Sequence, residues 1–251
     1  MRSRLLRSTV LVVALAALIS ACGGGERPTL GADTRPREST PTTVPPYISF
    51  IAQPLGNSVQ VHEAPDPASP ARDFPNPWFL NDNPEHTVPL VFLVDERQGE
   101  WVRVLLPVRP NGSTGWIRSS DVRLTPNRYR IVIERGAHRI TVYNGDSIVL
   151  QEPVAVGKDS TPTPTGKFYL RVLLKAPNPN TVYGPYAYGL SGYSEVLTEF
   201  NGGDAELGIH GNNDASVLGQ SVTAGCTRIS NESITKLAGM LPLGTPVEIV
   251  P

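Results

Sequence analysis

The chain contains 251 residues, of which 39% are hydrophobic and 18% are charged, and its formal net charge at pH 7 is −1. This hydrophobic fraction permits a buried core and excludes a wholly disordered chain. A charge near zero lacks the basic excess of nucleic-acid-binding proteins, so no nucleic-acid partner is expected. The 25 prolines and 23 glycines favour strands, turns and linkers over long helices.

The first 21 residues have the layout of a secretory signal peptide. Three arginines near the start precede an apolar run at 11–19, which is too short for a membrane-spanning helix of roughly 20 residues. The run ends in Ile19-Ser20-Ala21-Cys22, which resembles a bacterial lipobox. That resemblance implies cleavage before Cys22, lipidation of its thiol, and anchoring to the outer face of the cytoplasmic membrane, or in the periplasm of a diderm cell. A secretory signal with an incidental cysteine is the alternative.

Residues 22–46 differ in composition from the rest of the chain. They are rich in Gly, Thr, Pro, Arg and Glu and contain hardly any large apolar residue. Such a segment cannot bury enough surface to offset the entropy cost of ordering, which predicts a flexible stalk carrying the folded part away from the bilayer. An N-terminal arm packed on the folded part is the alternative.

Short alternating apolar segments at 47–124 predict a small β-barrel domain. Apolar and polar residues alternate at 58–62 and at 101–105, and Gly115-Trp116-Ile117 follows after a turn. Short alternating strands at this spacing are typical of a small barrel or sandwich. The last two of these segments resemble the final strands of bacterial Src-homology-like barrels.

Three tryptophans and two histidines of this region have two interpretations each. Trp78, Trp101 and Trp116 either belong to the core, which we favour, or line a ligand groove. His62 and His86 lie among turn residues without metal-ligand spacing, so we expect them at the surface.

The region 125–251 is also predicted to be rich in strands. Asn144-Gly145 between two alternating runs is a strong hairpin signal. A helix is predicted from Ser230 to Met240, capped by Ser230 or Asn231, and the chain closes with a strand ending at Val250. The predicted fold class is therefore mostly β, with a small barrel followed by a second β-rich domain with one or two short helices.

The residues that carry chemistry are His210, in Gly208-Ile209-His210-Gly211, and Cys226, sixteen positions later in Thr223-Ala224-Gly225-Cys226-Thr227-Arg228. A free thiol near pKa 8.5 is weakly ionised at neutral pH, and a nearby imidazole can lower that pKa and act as the base. Gly225 permits close backbone approach, and its amide could face an oxyanion. The helix near Ser230 would favour a thiolate through its dipole.

Two alternatives compete with a nucleophilic Cys226. A lone buried cysteine is often an inert small hydrophobe, but the polar, glycine-flanked loop around Cys226 argues against this. One cysteine and one histidine are too few ligands for a closed zinc site. Pairing Cys22 with Cys226 is not expected either, because the two lie in unrelated contexts.

Residues 128–250 resemble the catalytic domain of L,D-transpeptidases of the YkuD type. The resemblance is carried by four elements in order: Thr163-Pro164-Thr165-Gly166 with Phe168, the His210-Gly211 pair, the Gly225-Cys226 motif, and the closing Gly244-Thr245-Pro246-Val247. It implies a catalytic domain at 125–251 with that family's β-rich sandwich. One position departs from the pattern, because many members carry a second histidine where this chain has Ala224. His210 is then the single candidate base nearby.

The resemblance implies a two-step acyl transfer on peptidoglycan. Cys226 would attack the carbonyl after the third residue of a tetrapeptide stem and release D-alanine, and an amine of a second stem would attack the thioester to form a 3→3 cross-link. His210 would move the protons. No metal or organic cofactor is implied, carbapenem-type β-lactams should acylate Cys226, and a monomer is expected. Alternatives are an L,D-carboxypeptidase that uses water, attachment of a protein to the wall, and a non-catalytic peptidoglycan-binding lipoprotein.

Five residues are candidates for substrate binding: Arg228, Gly211, Thr223, Tyr186 and Tyr188. Arg228 either pairs with a carboxylate of the stem or fixes its own loop by donating to backbone carbonyls, and we lean towards the second. Tyr186 and Tyr188 belong to an aromatic and glycine-rich segment that could form a lid or a channel wall, although such tyrosines also occur in cores.

Overall fold

The computed structural model describes residues 47–80, 83–200 and 202–251. The predicted signal peptide, the predicted lipidation site at Cys22 and the predicted stalk lie outside the described residues. The described residues belong to one compact unit, Val44–Pro251. Within this unit two large sheets follow each other along the chain, and the change from one to the other falls at Arg128. A domain boundary at 124 stays a prediction.

The first sheet is antiparallel and open. Seven strands lie in the order β3-β2-β8-β7-β6-β1-β9, while β4 and β5 form a separate hairpin. β3 and β9 stand at the two ends of this order, and the small β-barrel at 47–124 stays a prediction. The nine strands are β1 Ser49–Pro54, β2 Ser58–His62, β3 Ala71–Pro75, β4 Trp78–Leu80, β5 Asn83–Val88, β6 Phe92–Gln98, β7 Trp101–Leu105, β8 Thr114–Arg118 and β9 Val122–Asn127.

The core of the first sheet follows from the alternation of its strands. Inward-facing residues such as Val59, Val102 and Ile117 are fully buried together, because every second side chain of a strand points to the same face. Trp101 and Trp116 are also buried, as predicted. His62 is not at the surface as we expected: it is 8% exposed, and its ring packs edge-on against Trp101 at 5.1 Å between centroids.

The second sheet has eight strands in the order β12-β11-β10-β19-β14-β15-β16-β18, and β13 pairs with β17 beside it. Most of its pairs are antiparallel, but β10 with β19 and β16 with β18 are parallel. The strands are β10 Tyr129–Glu134, β11 Arg139–Asn144, β12 Ser147–Pro153, β13 Val156–Gly157, β14 Gly166–Lys175, β15 Tyr186–Tyr193, β16 Glu206–His210, β17 Ser221–Thr223, β18 Thr227–Arg228 and β19 Pro246–Val250.

The predicted hairpin and the predicted helix are both confirmed. β11 and β12 pair across Gly145, whose φ of 60° suits glycine. The single α-helix among the described residues, α1, spans Asn231–Ala238 and begins after Ser230, whose Oγ accepts from the Ser233 amide. The fold is mostly β, as predicted.

The helix α1 packs on the second sheet and closes its core. Ile234 and Leu237 are fully buried against the sheet residues, which is the face that their helical spacing predicts. Ser119–Asp121 and Ala215–Val217 form short 3-10 helices. In the described part of the chain, no helix combines the length and the apolar character needed to cross a membrane.

Candidate active site

β16 and β18 bring the predicted cysteine and histidine to one edge of the second sheet. The two strands are parallel, with Ile209 opposite Thr227. Cys226 comes directly before β18 and therefore lies beside Gly208, where an added Cβ atom would stand 3.7 Å from Sγ. Gly208 and His210 are two residues apart on one strand and point to the same face. The strand register thus places Cys226 and His210 on one side of the sheet.

The imidazole of His210 is held by backbone carbonyls. Its Nδ1 lies 2.7 Å from Gly211 O, and because a carbonyl oxygen only accepts, Nδ1 carries the hydrogen and Nε2 keeps the lone pair that a base needs. The ring of Tyr183 packs against it, with 5.0 Å between centroids. Burial lowers the pKa of His210 to about 4, and the charge of Arg228 adds to the decrease, while hydrogen bonds to Gly211 and Val182 oppose it. The imidazole is therefore neutral at pH 7.

Cys226 is half-buried as a residue, but its thiol is surrounded by protein atoms. This burial raises the pKa of the thiol, and the Gly208 amide and the Arg228 charge offset only part of the increase. The prediction that the thiol pKa is lowered is therefore wrong, because loss of solvent disfavours the thiolate more than its neighbours favour it. The thiol lies within 4.0 Å of Glu206 O, measured from Sγ.

The loop before Cys226 is shaped by a threonine hydroxyl. Thr223 Oγ1 donates to Cys226 O at 2.6 Å and accepts from the Gly225 amide at 3.1 Å. Gly225 has a φ of 124°, a region that favours glycine. Since its amide already donates within the loop, Gly225 does not supply the predicted oxyanion donor. Thr223, predicted to bind substrate, lines the cavity described below but its hydroxyl is used to fix the loop.

The N-terminal end of α1 faces a carboxylate and not the thiol. Glu152 accepts hydrogen bonds from Ser230 N and Oγ, both at 3.1 Å, and from Ser233 Oγ at 2.8 Å. A carboxylate at this position already interacts with the positive end of the helix dipole. The expectation that the helix dipole stabilises a Cys226 thiolate is therefore wrong.

Cys226 and His210 share the walls of two adjacent cavities. The narrower cavity measures about 70 Å³ and the wider one about 260 Å³. Arg228 adds a positive charge to the wall of the narrower cavity, whereas Asp204 adds a negative charge to the wall of the wider one. The residues that line both cavities are Tyr183, Phe200, Ala205, Glu206, Leu207, His210 and Cys226.

Arg228 does not fix its loop with its Nε atom, contrary to the interpretation that we favoured. Its backbone exchanges two hydrogen bonds with Ala155 at 2.9 and 3.0 Å, while its Nε is buried without a hydrogen-bond partner among the described residues. A buried donor without a partner costs about 1–3 kcal/mol. The position at the cavity wall favours the other interpretation, in which the guanidinium meets a carboxylate of the substrate.

The two tyrosines among the substrate-binding candidates lie in different places. Tyr188 lines the wider cavity, but it is only 1% exposed, and its hydroxyl donates to Leu237 O and Leu241 O of the core at 3.0 and 3.2 Å. Tyr186 lines a neighbouring apolar groove of about 560 Å³ instead of the two cavities.

Gly211 holds the base in place and lines neither of the two cavities, and substrate binding by Gly211 stays a prediction. Besides accepting from His210, it packs against Gly184, and a Cβ at position 211 would stand 2.2 Å from the Asn231 side-chain oxygen and 3.0 Å from the Gly184 Cα. The same Asn231 oxygen accepts from the Asn212 amide at 2.9 Å. Glycine at 211 is therefore required by close packing around the histidine.

Sequence reasoning missed Glu206 and Arg171, and it gave Tyr183 only as one tyrosine of a segment that could form a lid or a channel wall. Tyr183 covers His210, and only its place in a tyrosine- and glycine-rich segment hinted at this. Glu206 lines both cavities and forms an ion pair with the buried Arg171; partial burial raises the pKa of Glu206, and Arg171 opposes the increase. Nothing in the sequence pairs positions 171 and 206, because their meeting depends on the strand order β14-β15-β16.

A metal site needs several ligating side chains close together. The part of the chain that the structure describes contains no group of three or more His, Cys, Asp or Glu side chains placed to hold a metal ion. The predicted absence of a metal and of an organic cofactor stays a prediction.

Fold and site together define a β-rich domain with a cysteine and a histidine at the wall of shared cavities. Residues 128–249 match the YkuD family, described as an L,D-transpeptidase catalytic domain. A protein of Bacillus licheniformis named YkuD, provisionally an L,D-transpeptidase, is 35% identical over 156 residues, which cover 59% of this chain and 86% of that protein. The chain belongs to the YkuD family of L,D-transpeptidase catalytic domains.

Other known proteins are similar over shorter stretches or in fold alone. YkuD of Bacillus subtilis, also named provisionally, is 34% identical over 121 residues, covering 48% of this chain and 65% of that protein. L,D-transpeptidase 3 from Mycobacterium tuberculosis is 14% identical, with a TM-score of 0.43, 64% of this chain and 92% of that chain covered. An L,D-transpeptidase from Mycobacterium smegmatis is 15% identical, with a TM-score of 0.39, 60% and 91% covered.

Proposed function

We propose that this protein is a cysteine-dependent peptidoglycan L,D-transpeptidase that forms 3→3 cross-links. The observation that carries the proposal is the shared cavity wall of Cys226 and His210, in a chain that belongs to the YkuD family. A thiol and a neutral imidazole at one cavity provide the nucleophile and the base of an acyl transfer. Peptidoglycan stem peptides are the proposed donor and acceptor.

In the proposed first step, the imidazole removes the thiol proton as the sulfur attacks the donor carbonyl. Because both groups are neutral at rest, proton transfer accompanies the attack and no stored thiolate is needed. The carbonyl after the third residue of the tetrapeptide stem becomes a thioester, the terminal D-alanine leaves, and its amine takes the proton from His210. The amide of Cys226 is the proposed oxyanion donor, since that of Gly225 is already engaged.

In the proposed second step, an amine of a second stem attacks the thioester carbonyl. The sulfur leaves as a thiol after His210 has taken the proton of the amine. The charges around the two cavities support separate approaches for the two stems: Arg228 suits a carboxylate of the donor, and Asp204 suits the ammonium of the acceptor before it loses its proton. Ala224 stands in the narrower cavity and adds no second base.

The test is incubation of residues 47–251 with disaccharide-tetrapeptide, with Cys226→Ala as the control and mass spectrometry as the readout. We expect a cross-linked dimer lighter than two monomers by one D-alanine in the wild type, and none in Cys226→Ala. A carbapenem should add to wild-type Cys226 and not to the control.

Two other outcomes would replace the proposal. Tripeptide without dimer would show that water is the acceptor and that the protein is an L,D-carboxypeptidase. The absence of product together with the absence of a carbapenem adduct would support a non-catalytic peptidoglycan-binding protein.

A further inference from the structure

A loop of the first sheet contacts the wall of the candidate active site. The loop at 106–113 connects β7 with β8. The segment between β15 and β16, residues 194–200 and 202–205, is called the flap below. Its members Ser194, Leu197, Phe200 and Ala205 line the narrower cavity together with Cys226. Residues distant in sequence thus meet next to the proposed nucleophile.

The side chain of Arg109 binds the flap at three places. Its Nη1 donates to Ser194 O at 2.7 Å, and its Nη2 donates to Leu197 O at 3.0 Å and to Asp204 O at 2.8 Å. These carbonyls belong to the beginning, the middle and the end of the flap. A guanidinium has five donors in a rigid plane and can serve several acceptors at once, which the single ammonium of a lysine cannot match.

Neighbours of Arg109 fix the residue from which the flap starts. Asn111 exchanges two hydrogen bonds with the backbone of Tyr193, at 2.9 Å from its amide and 2.8 Å to its carbonyl. The Tyr193 hydroxyl donates to Pro107 O at 2.7 Å, and the Arg109 guanidinium carbon lies 4.9 Å from the centre of the Tyr193 ring. The start of the flap is therefore held by the first sheet on several sides.

Among the described residues, the internal hydrogen bonds of the flap lie at its neck, at its tip and around the Ser194 side chain. Ser194 N donates to Ala205 O at its neck, at 2.9 Å, and Phe200 and Gly203 exchange two backbone bonds at its tip, at 2.8 and 3.1 Å. Between neck and tip, Ser194 Oγ accepts from the amides of Val196 and Leu197. The three bonds from Arg109 reach the flap from outside and join its neck to the segment around Leu197.

The end of the flap continues directly into the catalytic strand. Asp204 O, bound by Arg109, is two residues before Glu206, whose carbonyl lies 4.0 Å from Cys226 Sγ. Glu206 opens β16, the strand that also carries His210. A shift of the flap would move the wall of the substrate cavity more than it would move the histidine, which is held by its own strand pairing.

We propose that Arg109 is a positioning residue for substrate binding, through which the first sheet sets the shape of the active-site cavity. The proposal rests on the proposed acyl transfer. A displaced flap weakens contact with the stem peptide but leaves thiol and imidazole in place, so the effect should fall on KM more than on kcat. The first sheet would then be a working part of the substrate site and not only an attached module.

The experiment compares Arg109→Ala and Arg109→Lys with Arg97→Ala. Arg97 stacks on the ring of Phe50 in the same sheet, at 5.2 Å, and serves as the matched control. For Arg109→Ala we expect KM for the tetrapeptide to rise by about tenfold or more, with a smaller change in kcat. Arg109→Lys should show an intermediate rise in KM, and Arg97→Ala should leave KM and kcat unchanged. Amides of the flap should exchange hydrogen faster in Arg109→Ala than in the wild type.

The exchange measurement separates this proposal from the proposed function. If the wild type makes no product, the function proposal fails, and flap exchange still tests the contact of Arg109. Unchanged exchange in the flap of Arg109→Ala would overturn the positioning role. Faster exchange with an unchanged KM would overturn its link to substrate. If Arg109→Ala does not fold, the same measurements on Arg109→Lys decide the question.

Discussion

Burial raises the pKa of the Cys226 thiol and lowers that of the His210 imidazole to about 4, so both side chains are uncharged at pH 7. Both shifts have the same main cause, because the loss of solvent disfavours whichever form carries the charge. The positive charge of Arg228 acts in opposite directions on the thiolate and the imidazolium but is smaller than the effect of burial at both. In the proposed reaction, the neutral thiol of Cys226 therefore passes its proton to the neutral imidazole of His210 as the sulfur attacks.

A neutral pair predicts a particular pH dependence of kcat/KM. Because the pKa of His210 is lowered to about 4, the base stays unprotonated as the pH falls from 7 to 5, and activity should decrease only as the pH approaches that value. On the alkaline side, the raised thiol pKa predicts that alkylation of Cys226 by iodoacetamide increases at a higher pH than alkylation of a free cysteine measured beside it.

A stored thiolate–imidazolium pair would instead give alkylation of Cys226 at a lower pH than that of free cysteine, because its thiol pKa would be lowered. An acidic limb of kcat/KM at pH 6.5 or above, or alkylation of Cys226 at a lower pH than free cysteine, would contradict the neutral pair. The lowered thiol pKa that the sequence predicts would give alkylation at low pH. With the thiol buried, a high alkylation pH no longer favours a binding protein over an enzyme.

The helix α1 is tied to the sheet through one carboxylate. Glu152 on β12 accepts from the backbone and hydroxyl of Ser230 and from the hydroxyl of Ser233, and Lys236 donates to Val149 O on the same strand at 3.0 Å. The helix follows the Cys226 loop directly in sequence. The contacts of this element with β12 therefore also hold the end of the catalytic loop.

Removing the carboxylate should destabilise the fold measurably. Glu152→Ala is expected to lower the free energy of unfolding by about 1–2 kcal/mol, because it removes the acceptor of three hydrogen bonds at the helix N-terminus and an interaction with the helix dipole. Urea denaturation measures this difference. Glu248→Gln, at an exposed position of β19, is the control and should change stability by less than about 0.5 kcal/mol. Equal free energies of unfolding for Glu152→Ala and the control would contradict the stabilising role of Glu152 at the helix N-terminus.

For the whole molecule, we propose that the folded unit is a monomer held at the outer face of the membrane by lipid on Cys22. The support is the lipobox-like Ile19-Ser20-Ala21-Cys22 and the polar, proline-containing composition of 22–46. An anchored stalk would bring the acyl-transfer site to the wall polymer beside the membrane. The charge of the chain, −1, offers no strong electrostatic attraction to an anionic bilayer, so the lipid would carry the attachment.

The anchor predicts different fractionation of the wild type and Cys22→Ser. The wild-type protein expressed with its full sequence should sediment with membranes, and mass spectrometry of its N-terminal peptide should show acyl chains on Cys22. Cys22→Ser should appear in the soluble fraction of the envelope or the medium. The proposed lipid anchor would be contradicted if the wild-type protein were cleaved at another position, so that Cys22 either kept a free thiol or was absent from the mature protein. Val222→Ser, at an exposed position of the folded unit, is the control and should sediment like the wild type.

From the sequence alone follow the β-rich class, the β11–β12 hairpin and the helix α1, together with the prediction that Cys226 and His210 are the chemical residues. Each of these depends on local information: alternation within a strand, a turn at Gly145, a cap at Ser230, and a motif whose residues are close along the chain. The small barrel at 47–124 and the boundary at 124 stay predictions. They depend on which distant strands pair with each other, and a short sequence pattern does not determine that pairing.

The tertiary structure decided the protonation state of the pair, the partner of each loop amide, and the residues that complete the cavity. Burial of Cys226 arises from the packing of several segments around it, so its effect on pKa was invisible in the motif. Glu206 with Arg171, and Arg109 with the flap, join positions 35 to 95 residues apart. Such pairs form only when strand order brings them together, because a side chain's neighbours across a sheet are set by register and not by sequence distance.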